Sequence, residues 1–156
     1  MERVNDTFLL IGRLLMAALF LVSGVPKLLG LISRDGAFGG SYAGFLQAVT
    51  NSGLPYPEVW ALVGVAIEVL VPIALILGVF PRISALLLIA FVVVATALAH
   101  RFWQFPDAAA YRGQLNHFLK NIAIIGGMLY YFVTGPGAFS LAGRSVGSGA
   151  AVPARA

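Results

Sequence analysis

The chain has 156 residues, 60% of them hydrophobic and 10% charged, and a net charge of +4. Soluble domains carry about 25% charged residues, so this balance, with a mean hydropathy of +0.92, excludes a water-soluble globule and leaves much apolar side chain to face lipid. There is no cysteine, which excludes disulfides, thiolate metal sites and a dithiol relay, and the ten basic residues are scattered singly, which removes nucleic acid as a partner.

The first apolar run, Phe8 to Ile32, reads as a membrane-spanning helix rather than a cleaved leader. Glu2 and Asp6 spoil a basic n-region, the apolar core is too long, and no small-x-small site follows. The next segment, "ISRDGAFGGSYAGFLQAVTNSGLPYP", is a long loop. Its Tyr42, Phe45, Leu46 and Val49 fall at i, i+3, i+4, i+7, which predicts a short helix over Tyr42 to Thr50 lying on the membrane surface.

A second span runs from Glu58 to Phe80 and a third from Ile83 to Ala99, joined by the tight hairpin "FPR". Pro81 suits the first position of the third helix, where its missing N–H costs little. The loop "HRFWQFPDAAAYRGQ" supplies Phe102, Trp103, Phe105 and Tyr111 to an interfacial aromatic belt. A fourth span covers Leu115 to Thr134, and the segment from Gly135 onward is rich in Gly, Ala and Ser. Each run approaches the roughly 20 residues that cross the hydrocarbon as a helix, and none alternates as a barrel strand would.

The expected fold is therefore all-α: a polytopic membrane protein built as an antiparallel four-transmembrane-helix bundle with a short interfacial helix in the first loop. Residues 1–140 form a single transmembrane domain and 141–156 a flexible C-terminal tail. Four spans put both termini on one side. Arg3, Arg82, Arg144 and Arg155 lie on that side, against Arg34, Arg101 and Arg112 on the other, which places the termini in the cytoplasm by a margin of one arginine.

Ionisable side chains inside the spans are the candidate site. A charge at the bilayer centre costs about 2.5–3.5 kcal/mol on insertion scales, so such groups usually face the bundle interior and pair. Arg13 and Lys27 are 14 residues apart, about 21 Å along the axis and roughly 40° apart around it, so they share one face. Small Ala17 and Gly24 lie between them and admit a close neighbour. Glu68 sits mid-span, and Pro72 four residues later frees its backbone carbonyl. His117, Lys120 and Asn121 share a face of the fourth span at the depth of Lys27.

Two readings follow. In the structural one, Arg13 and Lys27 snorkel to the interfaces, Glu68 pairs with Lys120 or Arg13 to fix packing, and His100 and His117 are interfacial hydrogen-bonders. In the functional one, Lys27, His117, Lys120 and Asn121 form a cationic pocket closed at its base by Glu68. Such a pocket suits a small anion or the carbonyl oxygens of a quinone, with Glu68 or His117 carrying a proton. Haem held by His100 and His117 is the lesser alternative, since no spacing argues for it. No metal site is expected.

The motifs "GRLLMAALFLVSGVPKL" (Gly12–Leu28), "GLP" (Gly53–Pro55), Glu68 followed by "LGVFPR" (Leu77–Arg82), and "HFLKNIAIIGGML" (His117–Leu129) resemble, in this order, the DoxX family. The resemblance covers roughly Leu9 to Tyr130. It implies a small four-helix protein of the bacterial inner membrane, with Arg13, Lys27, Glu68, Lys120 and Asn121 as family-like polar residues. It also implies a link to redox chemistry: one branch is a subunit of a thiosulfate:quinone oxidoreductase, and others associate with sulfurtransferase or superoxide-detoxifying partners. More distant relatives act in membrane-protein trafficking or assembly.

The leading expectation is a membrane-embedded subunit of a quinone-linked redox, oxidative-stress or sulfur-metabolism system, in contact with the lipid bilayer and a soluble or membrane redox partner. Catalysis by the chain itself is left open, and so is a homo-oligomer. The alternatives are a non-enzymatic scaffold or assembly factor, which the lack of a built-in redox group favours, and a small transporter.

Overall fold

The computed structural model describes residues 2–33 and 38–142. Among them are five α-helices and one 3₁₀ turn, and no strand. The helices are α1 (Glu2–Ser33), α2 (Gly39–Asn51), α3 (Pro57–Leu77), α4 (Pro81–Ala99) and α5 (Ala108–Thr134), with the 3₁₀ turn at Phe102–Gln104. The expected bundle is present. α1, α3, α4 and α5 are its long members, and α2 lies against α1 and α3. α1, α3 and α4 are long and apolar enough to cross a membrane. α5 has 27 residues, about 40 Å of helix, and is less apolar because its first half carries Arg112, His117, Lys120 and Asn121.

The helix ends follow from local chemistry. α3 and α4 each open on a proline, preceded by Tyr56 and Phe80 with φ of 56° and 46°. The proline ring keeps the residue before it out of right-handed helix, and both aromatics take the left-handed region instead, a strained setting for a bulky side chain. α3 ends at Gly78, where φ is 67°, with the Val79 N–H donating to the Ala74 carbonyl at 3.0 Å. A side chain at Gly78 would also run into the Arg13 guanidinium and Ser140, so backbone and space both call for glycine.

α5 begins seven residues before the apolar run at Leu115. The Asp107 Oδ1 accepts the N–H groups of Ala109 at 3.1 Å and Ala110 at 2.8 Å, and three alanines then extend the helix back into the loop. Asp107→Ala is expected to cost about 1 kcal/mol, read as a lowered midpoint of thermal unfolding by far-UV circular dichroism in detergent.

The core draws on all four long helices: Ala17 and Phe20 of α1, Val71 and Leu75 of α3, Ala85, Leu88 and Val92 of α4, and Ile124, Met128 and Tyr131 of α5. Outward side chains such as Leu15, Val22 and Val133 are at least 70% exposed and form the lipid-facing surface. Lipid is as apolar as they are, so helix association here depends on close packing and interhelical hydrogen bonds. On α2 the half-buried stripe is Tyr42, Phe45, Leu46 and Val49, the set predicted to face the membrane side.

Part of the Gly-, Ala- and Ser-rich segment folds back on the bundle. The Ala138 N–H donates to Asp6 Oδ1 at 2.8 Å, and Ser140 is buried. Residues 143–156, which make up most of the expected tail, lie outside the described residues, as does Arg34.

Candidate functional site

α1 places Ser23 and Lys27 one turn apart beside α3, Ser23 exposed and Lys27 half-buried. Lys27 Nζ donates to Glu68 Oε2 at 2.5 Å and to Ser23 Oγ at 3.0 Å, and Ser23 Oγ donates to Glu68 Oε1 at 3.1 Å. Both carboxylate oxygens are thereby held. The Glu68 side chain is 6% exposed and that of Lys27 16%. The pair is possible because α1 and α3 approach closely at Gly24. A Cβ there would lie 2.7 Å from Glu68 Cβ and 2.8 Å from the Glu68 carbonyl oxygen. That carbonyl is the one Pro72 deprives of its helical donor.

Phe45 of α2 caps the pair. Lys27 Nζ sits 4.2 Å from its ring centroid, a cation–π contact. The edge of the same ring lies over Gly64 of α3, where any side chain would collide with it. Beyond Phe45 opens a cleft of about 210 Å³ between α3 and α4, lined among others by Trp60, Ile67, Phe91 and Val94. One aromatic ring therefore separates the partly buried ion pair from an apolar cleft.

The remaining predicted residues are placed elsewhere. Asn121 Nδ2 donates to Thr96 Oγ1 at 2.8 Å, and Thr96 in turn donates to the Val92 carbonyl. This is a buried clasp between α4 and α5. His117 stacks on His100 with ring centroids 5.0 Å apart, and His100 Nδ1 lies 2.9 Å from Gln114 Oε1. Lys120 is exposed, with no hydrogen bond or ion pair among the described residues. The structure thus brings Lys27 and Glu68 together and sets His117, Lys120 and Asn121 apart from them.

Arg13 is enclosed by protein. It is 2% exposed, and its guanidinium donates to the carbonyls of Ile76 and Phe139. Sequence reasoning missed Ser23, Phe45 and Thr96 as polar or capping partners. Ser23 carried a signal, being four residues before a cation inside a span.

The polar face of α1 and Glu68 fall within residues 8–101, which match the family model described as DoxX. The chain belongs to the DoxX family. The match ends before α5, so the His117–Leu129 motif lies outside it. Among curated DoxX-like relatives, inner membrane protein YphA of Escherichia coli is 32% identical over 137 residues, covering 88% of this chain and 89% of YphA. Inner membrane protein YqjF of the same organism is 30% identical over 144 residues, covering 90% and 94%. The Surfeit locus protein 4 homolog of Schizosaccharomyces pombe is 27% identical over 135 residues, 86% of this chain but 36% of that protein. No solved structure matches. This DoxX chain is a multi-pass helical membrane protein.

Proposed function

We propose that this DoxX protein is a quinone-binding subunit of a membrane redox system in the bacterial inner membrane, with both termini in the cytoplasm. The observation that carries the reading is the position of Phe45, with the Lys27–Glu68 pair on one side and an apolar cleft on the other. A quinone is an amphiphile whose ring and chain suit an apolar cleft and whose carbonyl oxygens need a donor. The Lys27 ammonium supplies that donor when Phe45 turns aside. Glu68, bonded to the same ammonium, is placed to exchange a proton with the bound head group. A small anion suits the site less well, because Glu68 already neutralises Lys27 and Lys120 lies outside it. Electrons come from a partner protein, since the chain offers no dithiol of its own. The inner-membrane placement follows the names of the two E. coli relatives.

Trp60 lines the cleft and makes the reading testable. With the other tryptophan removed as Trp103→Phe, short-chain ubiquinone and menaquinone analogues are expected to quench Trp60 fluorescence saturably in detergent. Lys27→Gln is expected to weaken that binding by about tenfold, the equivalent of one charge-assisted hydrogen bond, whereas Phe45→Ala, which uncovers the ammonium to the cleft, is expected to strengthen it. Quenching that rises linearly with quinone, or that is the same in all three proteins, overturns the reading.

A further inference from the structure

A second cavity lies at the opposite end of the bundle. It holds about 240 Å³ between α1 and α5, bounded by Phe8, Gly12, Arg13, Met16, Gly127 and Tyr131. Arg13 is buried there without a carboxylate partner among the described residues. Two of its nitrogens are held by backbone carbonyls, but its Nε has no partner. The Tyr131 hydroxyl, within electrostatic reach of that guanidinium, is likewise buried and unpartnered. Arg13 and Tyr131 thus both line this space, and each carries one buried polar atom without a partner among the described residues. A buried cation lacking a counter-ion is a costly arrangement, and an anion with several acceptor oxygens removes the cost.

The cavity lies toward one end of the spans. Arg13 reaches the Ile76 carbonyl next to the α3–α4 hairpin, and the cavity extends to Thr134 at the end of α5. Its mouth continues onto Phe8 and Tyr130, which are 69% and 78% exposed on the lipid-facing surface. A site with a cation inside and apolar walls leading to lipid calls for a ligand that is anionic at one end and acyl at the other.

We infer that the α1–α5 cleft is a binding site for an anionic phospholipid, whose phosphate oxygens accept hydrogen bonds from the Arg13 guanidinium and the Tyr131 hydroxyl while its chains follow the apolar walls of the cleft. The site is separate from the Lys27–Glu68 pair, about 21 Å along α1.

The test is native mass spectrometry of the full chain in detergent with equal amounts of phosphatidylglycerol and phosphatidylcholine. The wild type is expected to retain phosphatidylglycerol selectively. Tyr131→Phe is expected to lower that retention by about fivefold, the effect of one hydrogen bond. Gly12→Leu is expected to abolish it by filling the cleft. A Cβ at Gly12 meets nothing within 4 Å, so the added side chain starts in open space, and far-UV circular dichroism of the variant checks that it folds. Arg13→Gln is a weaker probe because Arg13 also holds two backbone carbonyls. Arg82→Ala, an exposed cation at the same end, is expected to leave selectivity unchanged. Equal retention of the two lipids by wild type overturns the proposal, as does full selectivity in both Gly12→Leu and Tyr131→Phe, or an Arg82→Ala loss as large as theirs. Inorganic phosphate that displaces phosphatidylglycerol at millimolar concentration overturns the lipid assignment in favour of a soluble anion.

Discussion

Gly24→Ala is expected to destabilise the bundle by about 3 kcal/mol, the upper range for overpacking a closely packed contact. The added methyl would sit 2.7 Å from Glu68 Cβ and 2.8 Å from the Glu68 carbonyl oxygen. Neither is the free end of a flexible side chain, so α1 and α3 themselves must separate. Separation also pulls Lys27 and Ser23 away from the carboxylate, so the methyl acts on the polar site as well as on the packing. Gly126→Ala provides the matched control. That position lies in α5, and a side chain there meets nothing within 4 Å. It is expected to be neutral or stabilising by up to about 1 kcal/mol through helix propensity alone. Thermal unfolding of the two variants in one detergent separates the effects. Equal midpoints for both would show that the contact at Gly24 is not what joins α1 to α3.

Some of this contact was legible in the sequence. Helical arithmetic puts Arg13, Ala17, Gly24 and Lys27 on one face of α1, and in the structure Arg13, Ala17 and Gly24 are buried and Lys27 is half-buried. The arithmetic works because an α-helix fixes angle and rise without reference to anything outside it. The same holds for α2, where spacing alone selected four residues that all lie half-buried. Its limit is the partner. Lys27 and Lys120 sit at comparable depth, and depth alone cannot say which one meets Glu68. That depends on the rotation of α5 about its axis. Asn121, Ile124, Met128 and Tyr131 are the buried stripe of α5, and Lys120 lies at its edge, outside. The Asn121–Thr96 bond accompanies that rotation, yet Thr96 reads in the sequence as one more residue of an apolar run.

The environment of Arg13 was illegible for a different reason. Its acceptors are the backbone carbonyls of Ile76 and Phe139, and a carbonyl carries no sequence signal. The start of α5 at Ala108 was hidden by the polar and aromatic character of its loop, although an aspartate before three alanines is a helix-start pattern. In both places backbone chemistry outweighs hydrophobic patterning, which was the stronger guide to the spans.

Glu68→Leu is the second change expected to have a large effect. It leaves the Lys27 ammonium, with a side chain only 16% exposed, facing Ser23 and the Phe45 ring without an anion. Breaking one side of a buried pair typically costs about 3–5 kcal/mol, and the residual exposure of Lys27 with its cation–π contact favours the lower end. Replacing both partners, Lys27→Met with Glu68→Leu, removes the desolvated charges together. The double variant is expected to recover to within about 1 kcal/mol of wild type, since well-packed apolar groups often match a buried pair. Stability and ligand binding then come apart. If the pair only fastens α1 to α3, the stable double variant will bind quinone analogues as the wild type does. If the ammonium and carboxylate hold the head group, the double variant will unfold close to the wild-type midpoint yet give no saturable quenching of Trp60. The expected result is the second, because in the double variant the cleft beyond Phe45 keeps its walls and loses the polar group at its end.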